Sequence, residues 1–180
     1  KFRKSLDRSK KYLEDITGFP VEGYRASCFS IDRKRLDEVQ KTGYLYDSSR
    51  INFSKHPLYK TIDMSNYERI SKNIFRLNDF YEFQVTTSAL LKNEVPISGG
   101  GYLRILPWGL SKKLIGDYLK EGGLYILYIH PFELSDKNNP QYPTGTNFFT
   151  KFRFRTGRST VKNKLSRLIK LLKNAQEKKV

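Results

Sequence analysis

Three side chains in this sequence could share one piece of acid–base chemistry: His130 in YILYIHPFEL, Asp47 in YLYDSS and Arg25 in GYRASC. A histidine titrates near neutral pH and can pass a proton to a leaving group, a step worth roughly 10²–10⁴ in rate. An aspartate can orient the ring and stabilise its charged form. An arginine can hold a carboxylate in a planar fork. The set suits hydrolysis of an ester or amide. The serines that could act as nucleophile are Ser27, Ser48 and Ser49, and none sits in a G-x-S-x-G elbow. A metal-activated water is the other route, yet the sequence holds no H-x-x-x-H or H-E-x-x-H pair. Each residue also has a plainer reading. His130 can end a strand on a backbone carbonyl, Arg25 can form a structural ion pair, and Asp47 can turn the chain with Ser48 and Ser49.

The elements that must position these residues are legible from spacing. Residues 1–17 read as an amphipathic helix, with Phe2 and Leu6, Tyr12 and Ile16 each four apart, ended by Gly18 and Pro20. Residues 21–31 have strand character, and 32–43 a helix capped by Asp32 and stopped by Gly43. A short strand follows over 44–49, then a long excursion over 50–73 without clear periodicity. FYEFQVTT, 80–87, alternates like a strand. Gly99, Gly100 and Gly101 point to a bend or a close backbone approach. A helix runs from Pro107 to about Leu119, and LYILYIH, 124–130, is the strongest strand, apolar on both faces and so central. After a loop over 135–147, a helix from Ser159 places Val161, Leu165, Leu168, Ile169 and Leu172 on one face. Alternating helices and strands predict an α/β fold with a mainly parallel sheet. Sites in such folds lie at the carboxyl ends of strands, here RASC, DSS and HPFE.

With 180 residues, 38% of them hydrophobic and 29% charged, the chain has the size and composition of one globular domain. No apolar run approaches the ~20 residues of a membrane-spanning helix. The single Cys28 excludes an intrachain disulfide and reads as a small buried residue. His56, before Pro57, reads as a surface histidine. The net charge of +16 is concentrated in residues 151–180, where eleven Lys/Arg face one Glu and leave +6 for the rest. Such a segment suits an anionic membrane surface. It also opens a second functional class, a non-catalytic basic module that binds nucleic acid or an anionic glycan. The ordered strand-end motifs speak against nucleic acid, since binding alone does not need them.

In order along the chain, GYRASCFSID, GYLYDSS, EFQVTT, SGGGYLRILP and YIHPFEL resemble the polysaccharide deacetylases of the NodB-homology type, in particular the bacterial branch associated with exopolysaccharide loci. The likeness extends to the terminal RTGRSTVKNKLSRLIK. It implies a single domain over 1–180: a partial distorted (β/α) barrel lacking its N-terminal strands, with barrel segments over 1–158 and a basic C-terminal helix over 159–180. It implies removal of N-acetyl groups from polysaccharide sugars with a divalent metal, zinc first. His130 would be the general acid, Asp47 its tuning partner and Arg25 the tether of a base aspartate. Phe29 and the loop with Gly100, Gly101 and Tyr102 would shape the sugar cleft. Two departures stand out. Ser27 occupies the place of a proline in an R-x-P-aromatic type of motif, which relaxes the turn that places Arg25 and Phe29. The family's Thr-Phe-Asp-Asp type strand end and His-x-x-x-His helix are absent from this sequence, which opens without Met and inside a helix. The expectation is a C-terminal part that alone neither binds the catalytic metal nor turns over substrate. Its partners would be N-acetylated polysaccharide and the missing N-terminal part, in the bacterial cytoplasm or at the inner-membrane periphery.

Overall fold

Helix α1, Phe2–Thr17, forms where the apolar spacing predicts it, and Gly18 closes it in the left-handed conformation at φ 71°. Its N-terminal half packs inward through buried Leu6 and partly buried Phe2, while Tyr12 and Ile16 remain exposed. The computed structural model describes residues 1–53, 62–91, 93–135 and 141–177. The proposed surface histidine His56 lies outside the described residues, as does part of the 135–147 loop. The chain divides into two compact units, Lys1–Val95 and Pro96–Val180.

The first unit is a mixed α/β layer. Strand β1, Gly23–Tyr24, and strand β2, Tyr46–Asp47, flank helix α2, Arg33–Lys41, whose N-cap Asp32 accepts from the Arg35 N–H as its position predicts. Strands β3 (Glu68–Ser71), β4 (Ile74–Leu77) and β5 (Phe80–Phe83) complete a five-stranded sheet in the order β1-β2-β5-β4-β3. The pairings β1–β2 and β2–β5 are parallel, whereas β5–β4 and β4–β3 are antiparallel. The sheet is therefore mixed rather than mainly parallel, and no closed barrel forms among the described residues. A second sheet pairs β6, Thr87–Leu90, with β7, Asn93–Pro96. The core gathers Leu6, Ile31, Leu36, Val39, Tyr44, Ile62 and Phe80.

Three expectations in this unit fail for local reasons. The strand over 21–31 shrinks to two residues, because Cys28 and Phe29 take φ of 52° and 54° in a 3₁₀ turn. Two successive non-glycine residues in the left-handed region cost about 1–3 kcal/mol each and end any extended ladder. Cys28 is exposed on that turn, not buried. The excursion over 50–73 ends in strand β3, the first arm of a meander. Its second hairpin turns at Asn78–Asp79, with Asn78 at φ 54°, the turn chemistry that short hairpins favour.

The second unit is helical around one extended segment. Helices α3 (Gly100–Ile105), α4 (Trp108–Lys120), α5 (Phe148–Arg155) and α6 (Arg158–Glu177) bury Leu103, Leu114, Ile115, Tyr118, Val161 and Leu168. On α6 the buried pair is Val161 and Leu168, seven residues apart, while Ile169 is exposed. Residues 124–130 do not form the central strand. Residues 125–129 are half-buried, Leu124 and His130 are exposed, and their ladder is one parallel bridge, Tyr128 with Gly99. The physical reason is that their neighbour turns into α3 at Gly100, so only 98–100 remains to pair: Tyr128 N–H donates to Ser98 O at 3.0 Å and Gly100 N–H to Tyr128 O at 2.9 Å. Among the described residues no helix is long and apolar enough to cross a membrane.

Candidate functional site

In the first unit, parallel register aligns Tyr24, Asp47 and Glu82 across β1, β2 and β5. The next residue on each strand is Arg25, Ser48 and Phe83, and these are joined. Arg25 donates from Nε to Ser48 O at 2.8 Å and from Nη2 to Ser48 Oγ at 2.6 Å. Ser48 Oγ in turn donates to Phe83 O at 2.7 Å. The Arg25 guanidinium also lies 5.9 Å from the ring centre of the buried Phe29. Two of the three strand ends read as sites, RASC and DSS, thus stand side by side at the carboxyl edge of the sheet.

Asp47 is fully buried. Its carboxylate accepts from Ser49 N–H at 2.7 Å and Ser49 Oγ at 2.9 Å. Glu82, also fully buried, packs beside it and hydrogen-bonds to it. Glu82 Oε1 accepts from Arg50 N–H at 2.8 Å, whereas Oε2 meets no N–H or O–H donor. A proton shared between the two carboxyls would satisfy that oxygen. Burial, and then the Asp47 charge, push Glu82 well above the usual carboxylate range, and burial raises Asp47 too. The folded chain therefore holds a proton that the unfolded chain releases above ordinary carboxylate values. The stability from this pair is full below that range and is lost as pH rises through the raised folded value. Glu82→Gln keeps an acceptor for Arg50 and supplies a permanent N–H donor to Asp47. The melting temperature of the native chain, relative to Glu82→Gln, should fall steadily from mildly acidic to mildly alkaline pH. Parallel curves across that range would show that no proton is shared.

In the second unit, His130 follows the bridged segment and caps a 3₁₀ turn, Pro131–Leu134. Pro131 opens this turn at the first position, where its fixed φ fits and its missing N–H is not needed. The His130 side chain is 61% exposed, so its ring is open to a ligand. Beneath it, Glu133 is buried. Glu133 Oε2 accepts from His130 N–H at 2.9 Å and stands 3.3 Å from His130 Nδ1. Glu133 Oε1 accepts from Arg104 Nε at 3.0 Å. Arg104, buried as well, donates from Nη1 to Phe154 O at 3.1 Å and Thr156 O at 2.9 Å. Arg158 ties the same turn down through Phe132 O at 3.1 Å and through Ser135 O. Around the exposed ring runs a chain of aromatics: Tyr128 at 6.3 Å and Phe132 at 5.5 Å from His130, Phe154 beyond Phe132 at 5.7 Å, and Tyr142 beyond Phe154 at 6.1 Å.

The glycines of SGGGYLRILP have distinct duties. A Cβ on Gly100 would overlap the Glu133 carboxylate, whereas one on Gly101 would meet its nearest atom, Arg104 Nη2, at an ordinary 3.8 Å. Gly100→Ala should destabilise by roughly 1–3 kcal/mol through overpacking against a carboxylate that its ion pair holds in place. Gly101→Ala should be neutral or gain up to about 1 kcal/mol of helix propensity. Urea unfolding of the two variants checks the contrast, and equal effects would contradict it. Tyr102 follows on the same helix and is half-buried.

Arg25, Asp47 and Phe29 belong to the first unit, and Gly100, Gly101, Tyr102 and His130 to the second. Glu82, Glu133 and Arg104 were not singled out by sequence reasoning. Glu133 carried a signal, the spacing of a capping box three residues after His130; the other two carried none. The basic C-terminal segment also does internal work. Lys164 Nζ donates to the carbonyls of Leu103, Arg104 and Leu106 at 2.8–3.0 Å, capping α3, and burial lowers its pKa. Arg167 lies 4.9 Å over the Trp108 ring.

The sheet and the His130 turn define a mixed α/β protein with an exposed histidine held on a buried ion pair. The family described as "Domain of unknown function (DUF3473)" matches residues 48–180, and the chain belongs to it. The matched span holds His130, Glu133, Arg104 and Gly100–Tyr102, while Arg25, Phe29 and Asp47 precede it. Neither the curated proteins nor the solved structures offered a match.

Proposed function

We propose that this chain supplies the proton-donating side of a carbon–nitrogen hydrolase acting on N-acetylated polysaccharide, within a distorted (β/α) barrel of the polysaccharide deacetylase type. The observation that carries the reading is His130: an exposed imidazole on a rigid turn, bordered by a row of aromatic rings. Aromatic faces beside a reactive group suit the apolar faces of sugar rings, and the histidine suits the leaving nitrogen. In amide hydrolysis, water adds to the acetyl carbonyl, the C–N bond breaks and acetate leaves. The departing amine nitrogen needs a proton, which His130 in its charged form donates. The same proposal assigns Arg25 as tether of a base carboxylate, Asp47 as a tuning charge, and Phe29, Gly100, Gly101 and Tyr102 as sugar contacts.

A divalent cation such as zinc does not fit the donors seen here, because among the described residues no three His, Cys, Asp or Glu side chains converge. A place in the bacterial cytoplasm or at the inner-membrane periphery is part of the proposal. The test is acetate release from an N-acetylated chitooligosaccharide by the native protein that carries this chain, with divalent metal supplied. Absence of release, with the protein folded, would remove the deacetylase reading.

A further inference from the structure

We infer that Glu133, held by Arg104, is the positioning residue that fixes the ring of His130 with its proton on Nδ1 and its Nε2 turned outward. The inference rests on the reading of His130 as a proton donor, but its geometry is independent of any substrate. Glu133 has two carboxylate oxygens and divides them. Oε1 takes the Arg104 Nε at 3.0 Å, and Oε2 takes the His130 backbone N–H at 2.9 Å with Nδ1 at 3.3 Å. Because Arg104 and Glu133 are ion-paired and both almost wholly buried, the carboxylate cannot swing away. Gly100 leaves the room that this carboxylate occupies.

Two partners compete for Nδ1. The Glu133 backbone N–H can also reach the His130 side chain, as in a capping box. That N–H already donates to His130 O at 2.9 Å. If Nδ1 were bare, its lone pair would face a charged oxygen. With the proton on Nδ1, the same approach becomes a charge-assisted hydrogen bond. The second outcome is favoured, and it leaves Nε2 as the nitrogen that exchanges protons with a ligand. A carboxylate that acts through a histidine in this way sets tautomer and orientation without reacting itself.

Nitrogen NMR of the labelled full chain reads the tautomer directly, with a His56→Gln variant to assign the two histidines. The expected result is His130 protonated on Nδ1 in its neutral form. In Glu133→Gln the single amide oxygen goes to Arg104, so the amide N–H₂ faces the ring and the proton moves to Nε2. A native spectrum with the proton on Nε2 overturns the inference, whether or not any variant folds. A folded Glu133→Gln chain that retains the Nδ1 proton overturns it as well. Neither measurement involves turnover, so failure of the deacetylase reading shows up separately, as absence of acetate release.

Discussion

Arg104→Met should destabilise the Pro96–Val180 unit by about 3–5 kcal/mol, the range for removing one partner of a buried ion pair. Methionine replaces much of the aliphatic volume but none of the donors. Glu133 would keep its charge in a site that excludes water, and the carbonyls of Phe154 and Thr156 would lose the Nη1 donor that joins them. The loss should appear as a lower urea midpoint with an unchanged slope. A paired Arg104→Met, Glu133→Leu chain should recover a good part of it, since replacing both members of a buried pair by apolar groups is often near neutral. Recovery should stop short of complete, because the Phe154 and Thr156 carbonyls and the His130 N–H each lose a side-chain partner. A single-variant cost below about 1 kcal/mol would place the pair among exposed ones, which contribute that little.

The second large effect concerns chemistry. In the native protein that carries this chain, His130→Ala should lower kcat for N-deacetylation by about 10²–10⁴, the usual contribution of a positioned general acid. Binding of the glycan should persist, because the aromatic row of Phe132, Phe154 and Tyr142 packs ring on ring without the imidazole. An effect confined to kcat marks an interaction made in the transition state, whereas a rise in KM alone would mark His130 as a contact residue. Unchanged kcat and KM would take His130 out of the mechanism.

The positions of α1, α2, α4 and α6 were legible in the sequence because their signals are local, whereas α3 and α5 were not anticipated. Asp32 as N-cap, Gly18 as a left-handed stop and the seven-residue repeat of Val161 and Leu168 each depend on neighbours within two turns. The strand end at Asp47 was legible too, since the apolar run of YLYDSS stops there, whereas the strand expected to reach residue 31 ends at Tyr24. Strand length was not. Residues 124–130 have the composition of a buried strand, but a ladder needs a partner of equal length, and theirs turns into a helix at Gly100. Nor was the inward face of β5. FYEFQVTT offers apolar residues on both sides, and register with β2 put Phe80, Glu82 and Gln84 inside.

What the sequence by itself determined, then, is helices α1, α2, α4 and α6 with the caps Asp32 and Gly18, the strand-end places of Arg25 and Asp47, and His130 at the end of an apolar run. What only the tertiary structure decided is which polar groups meet. Glu82 lies 35 residues from Asp47, and Glu133 lies 29 residues from Arg104. Periodicity reports which face of an element is apolar. It carries no information on which distant carboxylate or guanidinium will be buried against that face, because that choice is made by chain closure and packing.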